Sequence, residues 1–153
     1  MAENSNFILN KARHYCSYQE RCIKDVSTKL RQWKVRPLMA EKVIEKLIHE
    51  GYLDEERYAR FFAGGKFRIN HWGRNKIIRE LARRGIPELI IQIGLKEIEE
   101  EEYQETLHDL LIRKKREIRE KDPLKIKKKL YAYGLQKGYD YSLVKQVLEK
   151  FNL

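Results

Sequence analysis

The chain has 153 residues and a net charge of +10, with 33 Lys and Arg residues against 23 Asp and Glu. Charged residues make up 37% of the sequence, and only eight Gly and three Pro interrupt it. This composition argues against a strand-rich fold and favours an all-helical protein. The charge surplus favours a polyanionic partner, usually nucleic acid, over an evenly solvated basic surface.

Cysteine usage and hydrophobicity indicate a cytoplasmic protein. Cys16 and Cys22 are six residues apart, which fits neither a metal site nor a redox pair, so we expect two reduced thiols. No apolar run approaches the ~20 residues that span a bilayer, and residues 1–10 lack the pattern of a secretory signal. The segments also lack the large apolar face of a membrane-surface helix, so we expect no membrane contact.

Capping residues, prolines and glycines predict the first helices. Residues 17–20, Ser-Tyr-Gln-Glu, have capping-box form and predict a helix that runs to about Trp33. Pro37 stands in the first turn of the next helix, which is expected to stop at Gly51. Asp54 is predicted to cap the helix that follows.

Residues 72–86 combine a helix start, an apolar stripe, a basic stripe and a helix stop. At 100° per residue, Lys76, Arg79 and Arg83 fall within about 60° of one another. The opposite side carries Ile77, Ile78 and Leu81. Gly85 follows the last periodic residue, where a left-handed residue commonly ends a helix. We expect this helix to pack with one face and to offer cations with the other.

Four further helices are predicted downstream. Pro87 starts a helix that is expected to run into a long helix over residues 97–121. The Asp-Pro pair at 122–123 caps the next helix, which is predicted to end before Gly134. The last helix is predicted over about residues 141–152, which gives about nine helices in all.

A weak repeat of about 50 residues runs through the chain. The segment that begins at Leu30 aligns with those at Leu81 and Leu130, at offsets of 51 and 49. The predicted repeats are residues 1–53, 54–98 and 99–153. Because a three-helix unit of this size has little core of its own, neighbouring repeats must pack together. We therefore expect an all-α, elongated and curved array of three tandem three-helix repeats, each similar to a helix-turn-helix unit.

Positive charge is concentrated in two blocks. Residues 57–86 contain nine Lys or Arg and one acid, and residues 113–129 contain ten and three. The alignment pairs Lys76 and Arg79 of the second repeat with Lys125 and Lys128 of the third, whereas the first repeat has Asp25 and Thr28 there. The candidate nucleic-acid or filament contacts are Arg57, Lys66, Arg68, Arg74, Lys76, Arg79, Arg83, Arg84, Lys125, Lys128 and Lys129. A solvated basic face is the alternative.

Aromatic and acidic residues near these blocks have two interpretations each. Tyr58, Phe67 and Trp72 lie among the cations and could stack on bases, but we expect each to pack in the core. Six Glu residues in 97–105 could hold a divalent metal, but a solvated acidic helix is favoured. The four histidines are scattered, and no HExxH, P-loop or GxSxG motif occurs. We therefore expect no enzyme activity, metal or cofactor.

Two of these segments resemble signatures of the RecX family of regulatory proteins. Residues 51–59, Gly-Tyr-Leu-Asp-Glu-Glu-Arg-Tyr-Ala, resemble the junction of the family's first and second repeats, and residues 72–86 resemble its second signature. Lys34 stands where the family usually has glycine. The resemblance implies three three-helix repeats in a protein that binds the RecA recombinase and its filament on single-stranded DNA. It also implies inhibition of filament assembly, ATPase and strand exchange in recombination and repair.

The sequence is also compatible with other function classes. A stand-alone DNA-binding module of helix-turn-helix type would use the basic helices to read bases, and double-stranded DNA would then be a partner. Readout favours Asn, Gln, Arg, Ser or Thr on the exposed face, and only Asn75 suits adenine, which favours phosphate contact. A nuclease would need an acid–base constellation, and none is found. We expect a monomer.

Overall fold

The computed structural model describes residues 2–152, and all regular secondary structure within that range is helical. The helices are α1 (Ala2–Tyr18), α2 (Ile23–Gln32), α3 (Pro37–His49), α4 (Glu55–Asn70), α5 (Arg74–Arg83), α6 (Glu88–Leu95), α7 (Glu100–Glu117), α8 (Pro123–Gln136) and α9 (Tyr141–Glu149). The prediction of an all-α protein with about nine helices is confirmed.

Helix contacts divide the chain into two compact units. The first comprises Met1–Phe61 with Leu81–Gly94, and the second comprises Phe62–Glu80 with Leu95–Leu153. These units do not coincide with the three predicted repeats, because residues of the second repeat fall in both. The repeat boundaries stay a prediction.

The core of the first unit forms where α1, α2 and α3 pack against one another. Its buried residues are Leu9, Ala12, Cys16, Val26, Leu30, Val43, Leu47 and Leu53. At the surface, Arg13 of α1 donates through Nη2 to Oε1 of Glu50 at 2.7 Å. This pair joins α1 to the residue that follows α3.

An aromatic cluster lies in the core of the second unit, beside the packed helices α7, α8 and α9. The Tyr103 ring stacks on Tyr139, with centroids 4.8 Å apart, and contacts Phe67 at 5.7 Å. The Tyr103 hydroxyl accepts the Arg74 N–H at 2.8 Å, and the Tyr139 hydroxyl donates to the carbonyl of His71 at 3.0 Å. Burial raises the pKa of Tyr103 to about 12.

Several predicted helix boundaries are confirmed. Pro37 is the first residue of α3, and Gly85 ends α5 in the left-handed region with φ of 79°. The Asp54 carboxylate accepts the Arg57 N–H at 3.0 Å, and Asp122 accepts the Leu124 N–H at 3.1 Å. Residue type at these positions was sufficient to predict the helix ends, because each capping group finds its partner within a few residues along the chain.

Three boundaries that depend on tertiary packing were predicted wrongly. One is the end of α8, which was predicted before Gly134 but lies at Gln136. The predicted capping box at residues 17–20 does not start a helix, since α1 runs to Tyr18 and α2 begins after Cys22. The actual box pairs Cys22 with Asp25, whose carboxylate accepts the Cys22 N–H at 3.1 Å. The predicted run from the sixth helix into the seventh is also interrupted, because Ile98 is buried and Glu99 is extended.

The turn that follows the second helix of each repeat shows which residues of the three repeats are structurally equivalent. Lys34, Gly85 and Gly138 have φ of 61°, 79° and 103°. In each case the next N–H bonds to the carbonyl five residues earlier: Val35 to Leu30, Ile86 to Leu81 and Tyr139 to Gly134. The turns are therefore 51 and 53 residues apart, and Lys34 adopts the left-handed conformation without glycine.

The predicted offset of 49 for the third repeat is therefore wrong by about one helical turn. Gly134 lies inside α8 against Val144, and α8 has 14 residues where α2 and α5 have ten. In the observed register Lys76 corresponds to Lys129, and Arg79 corresponds to Ala132. Lys125 and Lys128 are not the structural equivalents of Lys76 and Arg79.

Among residues 2–152, no helix is both long enough and apolar enough to cross a membrane.

Both cysteines are free and buried. Burial raises the pKa of Cys16 to about 11 and also raises that of Cys22, so both thiols are protonated at pH 8. We predict that the native protein reacts slowly with a thiol reagent at pH 8 and that both cysteines react once urea unfolds it. Rapid labelling without denaturant would contradict this, because it would require the first core to open readily.

Candidate nucleic-acid interface

The start of α5 is held by the turn between α8 and α9. The N–H of Gly73 donates to the carbonyl of Lys137 at 2.7 Å, and that of Asn75 donates to the carbonyl of Gly138 at 2.9 Å. A Cβ at position 73 would overlap the Gly138 carbonyl, and one at position 138 would lie 2.5 Å from Cβ of Lys76. Glycine at both positions therefore allows the two backbones to touch.

Three lysines lie close together beside this junction, and two of them lie over the Trp72 ring. Nζ of Lys66 lies 4.9 Å and Nζ of Lys76 lies 4.6 Å from the Trp72 ring centroid. Lys137, which sequence analysis did not select, donates from Nζ to the carbonyl of Asn70 at 2.9 Å. Burial and then the charge of Lys76 lower the pKa of Lys137. This lysine cluster concentrates positive charge that favours a bound anion such as phosphate.

The aromatic residues among the cations serve packing. Tyr58 and Phe67 are buried, which confirms the prediction that they belong to the core. Trp72 is half-buried, and its ring and that of Phe62 meet edge to face with centroids 6.2 Å apart. Because two ammonium groups also lie over the Trp72 ring, its surface is largely used in contacts within the protein. It is a poor platform for a nucleic-acid base.

Helix α5 has the buried apolar face and the exposed arginines that its sequence predicts, but Lys76, predicted on the same basic face, is half-buried over Trp72. Ile77 and Leu81 are fully buried, whereas Arg79 and Arg83 are exposed. The carbonyl of Arg83 accepts a hydrogen bond from Nζ of Lys24 at 2.8 Å. The apolar face anchors the helix, and its exposed side carries Arg79 and Arg83.

Helix α8 carries the longest run of exposed cations. The exposed lysines are Lys125, Lys127, Lys128 and Lys129. The helix start is acidic, because Asp122 caps it and Oε1 of Glu120 accepts the Asp122 N–H at 3.2 Å. A phosphate backbone is therefore attracted to the side of α8 rather than to its first turn.

Two predicted arginines already have partners within the protein. Nε of Arg57 donates to Glu20 at 2.8 Å, and its Nη1 donates to the carbonyl of Gly51 at 3.0 Å. Arg74 donates to Glu100 at 2.7 Å and lies over the Tyr103 ring at 4.0 Å. These contacts give both guanidinium groups a structural role that competes with phosphate binding.

Arg68 and Arg84 are similarly placed. Nη2 of Arg68 donates to the carbonyl of Glu97 at 3.0 Å. Arg84 is half-buried near Tyr58. Burial of the Tyr58 hydroxyl raises its pKa to about 12, and the positive charge of Arg84 acts in the opposite direction. Of the predicted contacts, Lys66 and Lys76 lie together around Trp72. Lys125, Lys128 and Lys129 lie together on α8.

The first repeat contains a cation–aromatic cluster that sequence analysis missed. Tyr15 and Trp33 meet edge to face at 6.3 Å. Lys11 lies 4.3 Å from the Trp33 ring centroid, and Arg21 and Lys29 lie 3.8 and 5.5 Å from that of Tyr15. The Lys11 and Lys29 contacts both join residues of α1 to residues of α2 and its C-cap. Local sequence spacing therefore did not indicate them.

Within the described residues, no group of three His, Cys, Asp or Glu side chains could hold a metal ion. In the acidic stretch, Glu100 accepts hydrogen bonds from Gln104 at 3.0 Å and Arg74 at 2.7 Å. The Gln104 contact and then the Arg74 contact lower the Glu100 pKa. Glu100 therefore serves the start of α7 and the packing of the second unit.

Comparison with known proteins identifies the family. Residues 54–95 match the second three-helix domain of RecX, and residues 100–148 match the third. Regulatory protein RecX of Clostridium acetobutylicum is 34% identical over 155 residues, covering 97% of this chain and 71% of that protein. The chain belongs to the RecX family. Regulatory protein RecX of Bacillus cytotoxicus is 31% identical over 140 residues, but this chain spans only 52% of its length.

Two solved structures share the fold. The crystal structure of RecX from Lactobacillus salivarius gives a TM-score of 0.89 at 22% identity, covering 98% of this chain and 97% of that one. A second crystal structure of regulatory protein RecX gives 0.90 at 21% identity, with 97% and 75% covered. At these identities the likeness establishes the fold alone.

Proposed function

We propose that this chain binds a RecA recombinase filament on single-stranded DNA and inhibits its assembly, ATPase and strand exchange. The observation that carries the proposal is the run of exposed cations on α8, in a chain that belongs to the RecX family of regulatory proteins. Lysines that neutralise phosphates release counterions, which provides affinity without sequence readout. The exposed Arg79 and the lysine cluster around Trp72 add to this basic surface.

The alternative is a stand-alone module that reads DNA bases. In helix-turn-helix proteins, the first residues of the recognition helix enter the major groove. Here the backbone of Lys137 and Gly138 covers the start of α5, and Asp122 and Glu120 make the start of α8 acidic. Both features oppose insertion of these helix ends into a groove. We therefore favour phosphate contact along helix sides.

We infer that the chain regulates without catalysis, as a monomer in the cytoplasm that has no cofactor. Binding to double-stranded DNA is the weaker alternative, because the starts of α5 and α8 are poorly suited to insertion into a groove. Any action would result from occupying the filament or its DNA. Hydrolysis or strand cleavage by this chain itself is not part of the proposal.

The decisive experiment measures ATP hydrolysis by RecA on single-stranded DNA. We expect added protein at substoichiometric ratios to slow hydrolysis, while the protein alone neither hydrolyses ATP nor cleaves DNA. Unchanged hydrolysis at an excess of the protein would contradict filament regulation. DNA cleavage that depends on a carboxylate of this chain would instead support an enzyme.

A further inference from the structure

We infer that Tyr131 and Tyr141 form a platform on which an unpaired base of single-stranded nucleic acid stacks. The two rings lie on α8 and at the start of α9, with centroids 5.0 Å apart and an interplanar angle of 20°. Tyr141 is 57% exposed, and Tyr131 is only partly buried. An exposed pair of parallel rings offers an outer π-face that a base can extend.

Cations are placed for the phosphates on either side of such a base. Lys127 and Lys128 stand four and three residues before Tyr131 on α8, and Lys145 stands four residues after Tyr141 on α9. These spacings bring the side chains to the same helix faces as the rings. All three lysines are exposed. Aromatic faces flanked by cations are the combination that sequence-tolerant single-strand binding uses.

The acids nearby leave this arrangement intact. Glu149 is close enough to contribute, after burial and Tyr141, to a raised pKa of Tyr131. The Asp140 carboxylate is occupied as the cap of α9, where it accepts the Leu143 N–H at 3.1 Å and the Ser142 hydroxyl at 2.6 Å. The lysines around the rings therefore outnumber the carboxylates that could repel a phosphate.

Exposed apolar side chains extend the platform along α8. Leu124 is 70% exposed and Leu135 is 42% exposed, and they lie seven residues before and four after Tyr131. This spacing continues the same helix face. Bases in a duplex are stacked on each other and present only their edges, so a face of this kind suits an unpaired base. The Trp72 ring, in contrast, is already covered by lysines.

This inference rests on the proposed function, because it names the part of the chain that contacts unpaired bases of the DNA. The experiment uses purified protein without RecA and two labelled oligonucleotides of equal length, one with bases and one fully abasic. Changing both Tyr131→Leu and Tyr141→Leu keeps apolar bulk but removes the π-faces. We expect binding to the strand with bases to weaken about tenfold, and binding to the abasic strand to change by less than about twofold.

Two further variants make the result specific. Tyr131→Phe with Tyr141→Phe keeps the rings and should retain wild-type binding. Tyr18→Leu removes a tyrosine that is 80% exposed in the first unit and should also leave binding unchanged. Equal loss of affinity for both strands in the double Leu variant would overturn the inference, as would unchanged binding of that variant. Equal affinity of the wild-type protein for the abasic strand and the strand with bases would overturn it too. Base-dependent binding without any effect on RecA ATPase would overturn only the proposed function.

Discussion

Replacing Gly73 with alanine is expected to destabilise the second unit by at least about 3 kcal/mol, because its new methyl group would overlap backbone atoms. The atoms concerned are the carbonyl of Gly138 and the amide nitrogen of Tyr139, and neither can move as a flexible side chain would. The Gly73 N–H would also lose its 2.7 Å bond to Lys137. Urea denaturation followed by circular dichroism measures the change.

Gly65→Ala is the matched control for this substitution. Gly65 lies inside α4 with open space where its methyl group would project. Alanine is favoured over glycine in a helix, so we expect a gain of about 0.5–1 kcal/mol. If Gly73→Ala left the denaturation midpoint unchanged, the close approach of the two backbones at Gly73 and Gly138 would be wrong.

The sequence was sufficient to predict features that depend only on residues a few positions apart along the chain. Pro37 starts α3, Gly85 ends α5, and both faces of α5 follow from a 3.6-residue period. The third repeat was misaligned because Gly134 resembles a helix stop. Its function is instead to make room for Val144 against α8, a contact between helices that no local rule contains.

The candidate interface was predictable only in part for the same reason. Periodicity identified the exposed Arg79 and the lysines of α8 as cations on helix surfaces. It could not show that Arg57 is held by Glu20, which lies 37 residues away. It also could not bring Lys137 to Asn70, 67 residues earlier in the chain. Charge alone does not distinguish cations that bind a ligand from cations that hold the fold.

Reversing three charges on α8 is expected to have the largest effect on function. The variant with Lys125, Lys128 and Lys129 changed to Glu should bind single-stranded DNA about 100-fold more weakly near 0.1 M salt. Loss of three phosphate contacts should also reduce the log–log salt slope by about 2. All three side chains are exposed, so each change should shift stability by less than about 0.5 kcal/mol. Fluorescence anisotropy across a salt series measures both quantities.

A control with the same change in net charge separates a local contact from a general electrostatic effect. Arg31, Lys42 and Lys46 are exposed in the first repeat, and changing all three to Glu alters the net charge by the same amount. We expect that variant to keep most of its affinity and nearly the wild-type salt slope, because it retains the lysines of α8. If both triple variants weakened binding equally, the basic surface would act through overall charge. The assignment of phosphate contacts to α8 would then be wrong.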